Sequence, residues 1–148
     1  MFNYKTGVFF ARNLRIEYQL QKAEDFDPRL QVKLVSEAVI AMGRIYSTLN
    51  LDLDTNLLLG IRYTKMYGVR IASLDDNFML YPGDAYAGNE LKTDFMGTIA
   101  DFLTSPETVA GSMTEQFVDQ MGHNDGLRAQ TLSQIAREYL AKGHKVNP

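Results

Sequence analysis

The residue types that could do chemistry are few. The chain has two histidines, His123 and His144, and no cysteine. Nucleophilic catalysis needs a Ser or Cys, a base and a group that orients the base. His123 stands in Gly122-His123-Asn124-Asp125, linker chemistry between two predicted helices, and reads as a solvated loop histidine. Asp125 is the nearest carboxylate. No HxH, HxxxH or Cys/His spacing accompanies the pair, and the segment lacks the oxygen ligands and closing Glu of a calcium loop. The acidic residues Asp75, Asp76, Asp84 and Glu90 are the other candidates. A turn at 75–77 and a loop at 82–90 would lie at opposite ends of a strand over 78–81, about 13 Å apart at 3.3 Å per residue. That is too far for a shared magnesium or a paired acid and base. Asp52 and Asp54 read as linker or cap residues. Gly83 and Gly88 flank a loop ahead of a predicted helix, but no Walker Lys-Ser/Thr or GxGxxG goes with them, and Glu90 would repel an anion. The sequence therefore predicts no catalytic residue, no metal and no cofactor.

Tyrosines remain. Tyr63, Tyr67, Tyr81 and Tyr86 fall around a predicted sheet and its exit loop, and exposed tyrosines serve as interface anchors. Tyr81, Asp84, Tyr86 and Glu90 are thus the candidate contacts for a ligand or partner.

The elements that would position them follow from periodicity. Residues 27–50 carry the clearest helical pattern. Asp27 can cap the first turn and Pro28 sits where its missing N–H costs nothing. Leu34, Val35, Ala38, Val39, Met42, Ile45, Tyr46 and Leu49 fall in one apolar arc, with Ile40 outside it and Gly43 mid-helix. Residues 14–21 alternate strictly: Leu14, Ile16, Tyr18 and Leu20 face one way, Arg15, Glu17, Gln19 and Gln21 the other. That is a strand with one buried face. Residues 57–67 read as a strand on the shared face of Leu57, Leu59, Ile61 and Tyr63, with a helix as the alternative. Strands over 68–74 and 78–81, joined by the Asp75-Asp76-Asn77 turn, would complete an antiparallel meander. Three helices should follow. Asn89 caps the first (Leu91, Phe95, Ile99, Phe102, Leu103), Ser105-Pro106 starts the second, and Asp125 starts the third.

The order is β-α-β-β-β-α-α-α. It implies an α+β fold in which a small antiparallel sheet of about three or four strands packs on the long central helix. With 148 residues, 45% hydrophobic and 22% charged, the chain reads as a single domain over 1–148. The net charge of −3 with scattered Lys and Arg argues against nucleic acid as a partner. The absence of a long apolar run argues against a membrane span. The expected setting is cytoplasmic, in a bacterium or a phage-infected one.

Ser47-Thr48-Leu49 followed by Tyr63, Met66 and Arg70 is slightly similar to the flagellin export chaperones, which are helical bundles. The match requires residues 55–72 to be helical and leaves everything after Asn77 unmatched, so no family is assigned. The leading expectation is a non-catalytic protein-binding or structural assembly module, of the secretion-chaperone or phage accessory/virion kind. It would self-associate as a homo-oligomer or bind a protein partner, through a sheet edge or the C-terminal helices. The alternative is a small-molecule or nucleotide-binding protein, possibly an enzyme, that uses the loop 82–90.

Overall fold

A computed structural model describes residues 2–3, 8–9, 25–72, 83–122 and 127–143. The strands expected over 14–21 and 78–81, the turn at 75–77, His123, His144 and Tyr81 lie outside the described residues. Two short strands come first in the chain: β1 (Phe2–Asn3) lies antiparallel to β2 (Val8–Phe9). β3 (Asp25–Phe26) then leads into helix α1 (Pro28–Ser47). The start of α1 is the one the sequence specifies. The Asp27 carboxylate accepts from the Arg29 backbone N–H at 2.9 Å and also pairs with the Arg29 guanidinium. β4 (Asn56–Thr64), β5 (Arg70–Ile71), β6 (Glu90–Thr98) and helices α2 (Ile99–Thr104), α3 (Pro106–Gln120) and α4 (Ala129–Gly143) complete the order. The fold is α+β.

Three corrections accompany that order. Residues 90–98 form a strand, so the first C-terminal helix begins at Ile99 rather than near Asn89. Leu91, Phe95 and Ile99 are spaced for a helix, but Leu91, Thr93 and Phe95 also share one face of a strand, and pairing with β4 decides between the two. The expected meander is not formed by the described strands. β4 pairs with β6 across all nine residues, from Asn56↔Thr98 to Thr64↔Glu90, while β5 pairs in parallel with β3. The described sheets are two-stranded, fewer strands than the sequence suggested. Finally, β4 lies within the stretch that the likeness to flagellin export chaperones needs as helix, and that likeness falls with it.

The core joins α1, the β4–β6 ribbon and the C-terminal helices. Val32, Val35 and Val39 of α1, Leu57 of β4, Leu91 of β6, Phe102 of α2, Phe117 of α3 and Leu132 of α4 are all buried in it. α3 lies against β6, whereas α1 packs on α2, α3 and α4 and reaches the ribbon through Gln31. With helices on several sides, the buried face of α1 is rotated from the expected arc. Ser36 is inside, donating to the Val32 carbonyl at 2.7 Å, while Leu34, Ala38, Met42 and Ile45 are half-buried and Leu49 is exposed. Gly43 is a point of close approach. A Cβ there would lie 3.1 Å from Leu103 Cδ2 and 3.3 Å from the Phe102 carbonyl. Gly111 does the same for α3 and α4, since its Cβ would meet Ser133 Oγ at 2.1 Å. In α3 the expected apolar face holds: Val109, Ala110, Met113 and Phe117 are buried, as is Met121 just beyond it.

Candidate functional site

The loop that the sequence singled out is held by backbone bonds. Gly83 N–H donates to the Ile71 carbonyl, Tyr86 N–H to Val69, and Gly68 N–H to Tyr86, so residues 83–86 run beside 68–71. Tyr86 is half-buried and its hydroxyl donates to the Glu90 carbonyl at 3.0 Å. Glu90 is exposed and pairs with Arg62, whose Nε lies 3.2 Å from its carboxylate. Asp84 is exposed. The structure therefore brings Tyr86 and Glu90 together with Arg62, and leaves Asp84 outside that contact.

Beneath the ribbon lies a polar contact that sequence reasoning missed. Gln31 on α1 donates its side-chain amide to the Tyr63 hydroxyl on β4, with buried Thr93 of the adjoining strand β6 beside it. Burial pushes the Tyr63 phenol up to about 12, with its polar neighbours Thr93 and Gln31 acting the other way. Such a phenol stays protonated and is no base at neutral pH. Gln31 Oε1 and Thr93 Oγ1 make no hydrogen bond of ordinary geometry among the described residues. The only sequence signal for this contact was a Gln on the inward face of an otherwise apolar helix start. Among the described residues no three Asp, Glu or His side chains come together as metal ligands.

The ribbon itself is asymmetric. In an antiparallel pair, alternate residues point their N–H and C=O to opposite sides. On β6, Asp94 donates to and accepts from the Gln116 side chain of α3, at 3.1 and 2.7 Å. The Lys92 carbonyl accepts from Gln120 at 2.7 Å. The outer edge of β6 is thus closed by two glutamines one helical turn apart. On β4 the corresponding outward residues are Leu58, Gly60 and Arg62, and no partner for their backbone occurs among the described residues.

All but one of the exposed large apolar side chains gather near the Asn56 end of the ribbon; the exception, Tyr67, is 76% exposed and follows the Thr64 end of β4. Leu49, Leu51 and Leu53 follow the C-terminus of α1, and Leu53 is 52% exposed. The Leu53 and Thr55 carbonyls accept from Ala100 and Ile99, which ties this loop to the start of α2. Leu58 (60% exposed) stands directly opposite Met96 (69%) on the outer face of the ribbon, next to the same junction. Leu103 of α2 completes the set and also lines an open groove of about 350 Å³ with Ile40, Pro106, Leu140 and the Glu107–Arg137 ion pair. Ile40, the apolar residue outside the expected arc of α1, is therefore half-covered by α2, α3 and α4 and half-open. None of Asp84, Tyr86 and Glu90 lines this groove. No helix among the described residues is long and apolar enough to cross a membrane. The chain matches no protein-family model, no curated protein and no solved structure, so its function has to be read from this geometry.

Proposed function

We infer that the protein is a non-catalytic binding or assembly module that self-associates, and that the apolar end formed by Leu49, Leu51, Leu53, Leu58, Met96 and Leu103 is its contact surface. The observation that carries this reading is the concentration of these side chains. Single exposed apolar residues are ordinary on a soluble surface, but a group at one end marks an association surface. Covering Leu58 and Met96 removes apolar area from water at about 25 cal/mol per Å². The groove continues the surface through Leu103, with Ile40 and Leu140 as further apolar contacts. The candidate loop contributes differently, since Tyr86 and Glu90 are engaged with the chain itself.

Sedimentation velocity across micromolar concentrations tests this. The wild-type chain is expected to shift from monomer to a discrete oligomer, and Leu58→Glu with Met96→Glu to remain monomeric with unchanged helical circular dichroism. A wild-type chain that stays monomeric throughout, or an oligomer unaffected by the two substitutions, would remove this surface from the account.

A further inference from the structure

We propose that the acidic, leucine-bearing turn Leu51-Asp52-Leu53-Asp54 of one copy docks in the groove beside Arg44 of a second copy, and that the contact is reciprocal. This rests on the self-association reading above and names the surfaces that meet. Two parts of the surface carry it, and each lacks within the chain what the other supplies.

The groove has an apolar lining from Ile40 of α1, Leu103 of α2 and Leu140 of α4, and a charged one from Arg44, Glu107 and Arg137. Glu107 is engaged with Arg137, 3.3 Å away. Arg44 is exposed and has no ion pair among the described residues. The groove therefore offers apolar side chains next to one uncompensated positive charge, although the chain as a whole carries −3. Its complement is an apolar side chain with a carboxylate beside it.

The turn has that composition, with leucine and aspartate in alternation. Leu51 and Leu53 are exposed, as are Asp52 and Asp54. Neither carboxylate has an ion pair among the described residues; that of Asp52 accepts from the Asp54 backbone N–H at 3.2 Å. The turn is also held in shape. Thr55 N–H donates to the Asp52 carbonyl at 2.9 Å, and Ala100 and Ile99 donate to the Leu53 and Thr55 carbonyls, both at 3.0 Å. A segment fixed in advance loses little further freedom on docking.

Their placement allows exchange between two copies. Ile40 and Arg44, four residues apart, share a face of α1, and α1 ends at Ser47, shortly before the turn. The turn is tied to the start of α2, while Leu103 and Thr104 at the end of α2 line the groove. α2 has six residues, about 9 Å at 1.5 Å per residue. Turn and groove are thus neighbours on one surface. That is the condition for a two-fold contact in which each copy gives its turn and receives the other's. Two acidic chains repel one another at a distance, and the local meeting of Asp52 and Asp54 with Arg44 selects the one orientation in which they attract.

Charge exchange between two variants of the full chain tests the pairing, read by sedimentation velocity at low salt. The wild type should form a dimer as concentration rises. Arg44→Glu has an acidic turn facing an acidic groove, and Asp52→Lys with Asp54→Lys has a basic turn facing a basic one. Each alone should dissociate at least about tenfold more readily than the wild type, with unchanged circular dichroism. Mixed in equal amounts, the two variants present opposite charges at both halves of the contact, so a heterodimer near wild-type affinity should form. If the wild type dimerises and either variant dimerises as tightly, or if the weakened variants do not restore each other, the proposal is overturned while self-association through Leu58 and Met96 still stands. Growth of the wild type into open-ended larger species would overturn the reciprocal contact as well. A wild type that stays monomeric at every concentration removes the self-association reading, and this docking with it.

Discussion

The two edges of the β4–β6 ribbon make opposite use of the same backbone. β6 ends against a helix that offers Gln116 and Gln120, side chains able to mimic a strand by donating and accepting at once. β4 ends against nothing of the kind among the described residues, yet its central residues are no more polar than those of β6. The difference teaches that a two-stranded ribbon is kept in place by what each edge meets. Edge closure by side chains costs two ordered glutamines, while closure by another strand needs a chain segment of matching length and pattern.

Four substitutions would break or sharpen this contrast. The largest effect is expected from Phe117→Ala. Its ring is buried on α3 and touches Phe26 of β3 at 5.5 Å and Tyr63 of β4 at 4.8 Å between centroids, so it joins the helix that closes β6 to the strands on the open side. Loss of about 3–5 kcal/mol is expected for such a truncation, read by urea unfolding with all probes coinciding.

Next is the alkaline limb of stability. The Tyr63 phenol is raised in the folded chain from 10.0 to about 12. Its contribution is full below pH 10 and is lost as pH rises through about 12, a difference of roughly 3 kcal/mol. In Tyr63→Phe that decline between pH 10 and 12 should disappear from a series of unfolding curves, at the cost of leaving the Gln31 amide unpaired at neutral pH.

Gln116→Leu should cost about 1 kcal/mol, since it removes a donor and an acceptor at a partly solvated edge. The sharper readout is local, because the Asp94 amide should lose protection while Thr93, bonded to β4, keeps it. The smallest effect belongs to Asp101→Asn. The Asp101 carboxylate accepts from the Thr98 backbone N–H at 2.7 Å and from its hydroxyl at 2.9 Å, closing a capping box at the start of α2. These bonds hold its carboxyl below the usual range. The stabilisation is present above the ordinary carboxylate pKa and is lost as pH falls through the lowered one. Thermal melts from neutral to acid should show that slope in the wild type and a flatter one in the variant.

How much of this was legible in the sequence depends on the range of the interaction. Asp27 and Pro28 announced α1 because a cap acts within three residues. The period-two face of Leu57, Leu59, Ile61 and Tyr63 announced β4 for the same local reason. β6 was missed because Leu91, Phe95 and Ile99 satisfy a helix as well as a strand, and only pairing with residues about thirty positions earlier chooses between them. Gln31 and Tyr63 meet across 32 positions, and Gln116 reaches Asp94 across 22, so neither contact has a local signal. Of the loop candidates, Tyr86 and Glu90 meet through a local bond, while the group of apolar residues at the other end needed α1, the ribbon and α2 to be placed first.

The parallel pairing of β3 with β5 has a consequence in time. Antiparallel neighbours such as α3 and α4, separated by a short connection, close small loops, whereas Phe26 and Ile71 must wait for α1 and β4 to be laid down between them. Loop-closure entropy makes such distant pairings late events in folding. Pulse-labelled exchange during refolding should therefore protect the α3 amides before that of Ala72. A chain halted at this point would carry a finished helical core beside an unfinished sheet, and a newly made chain is most prone to pair with the wrong neighbour during that interval.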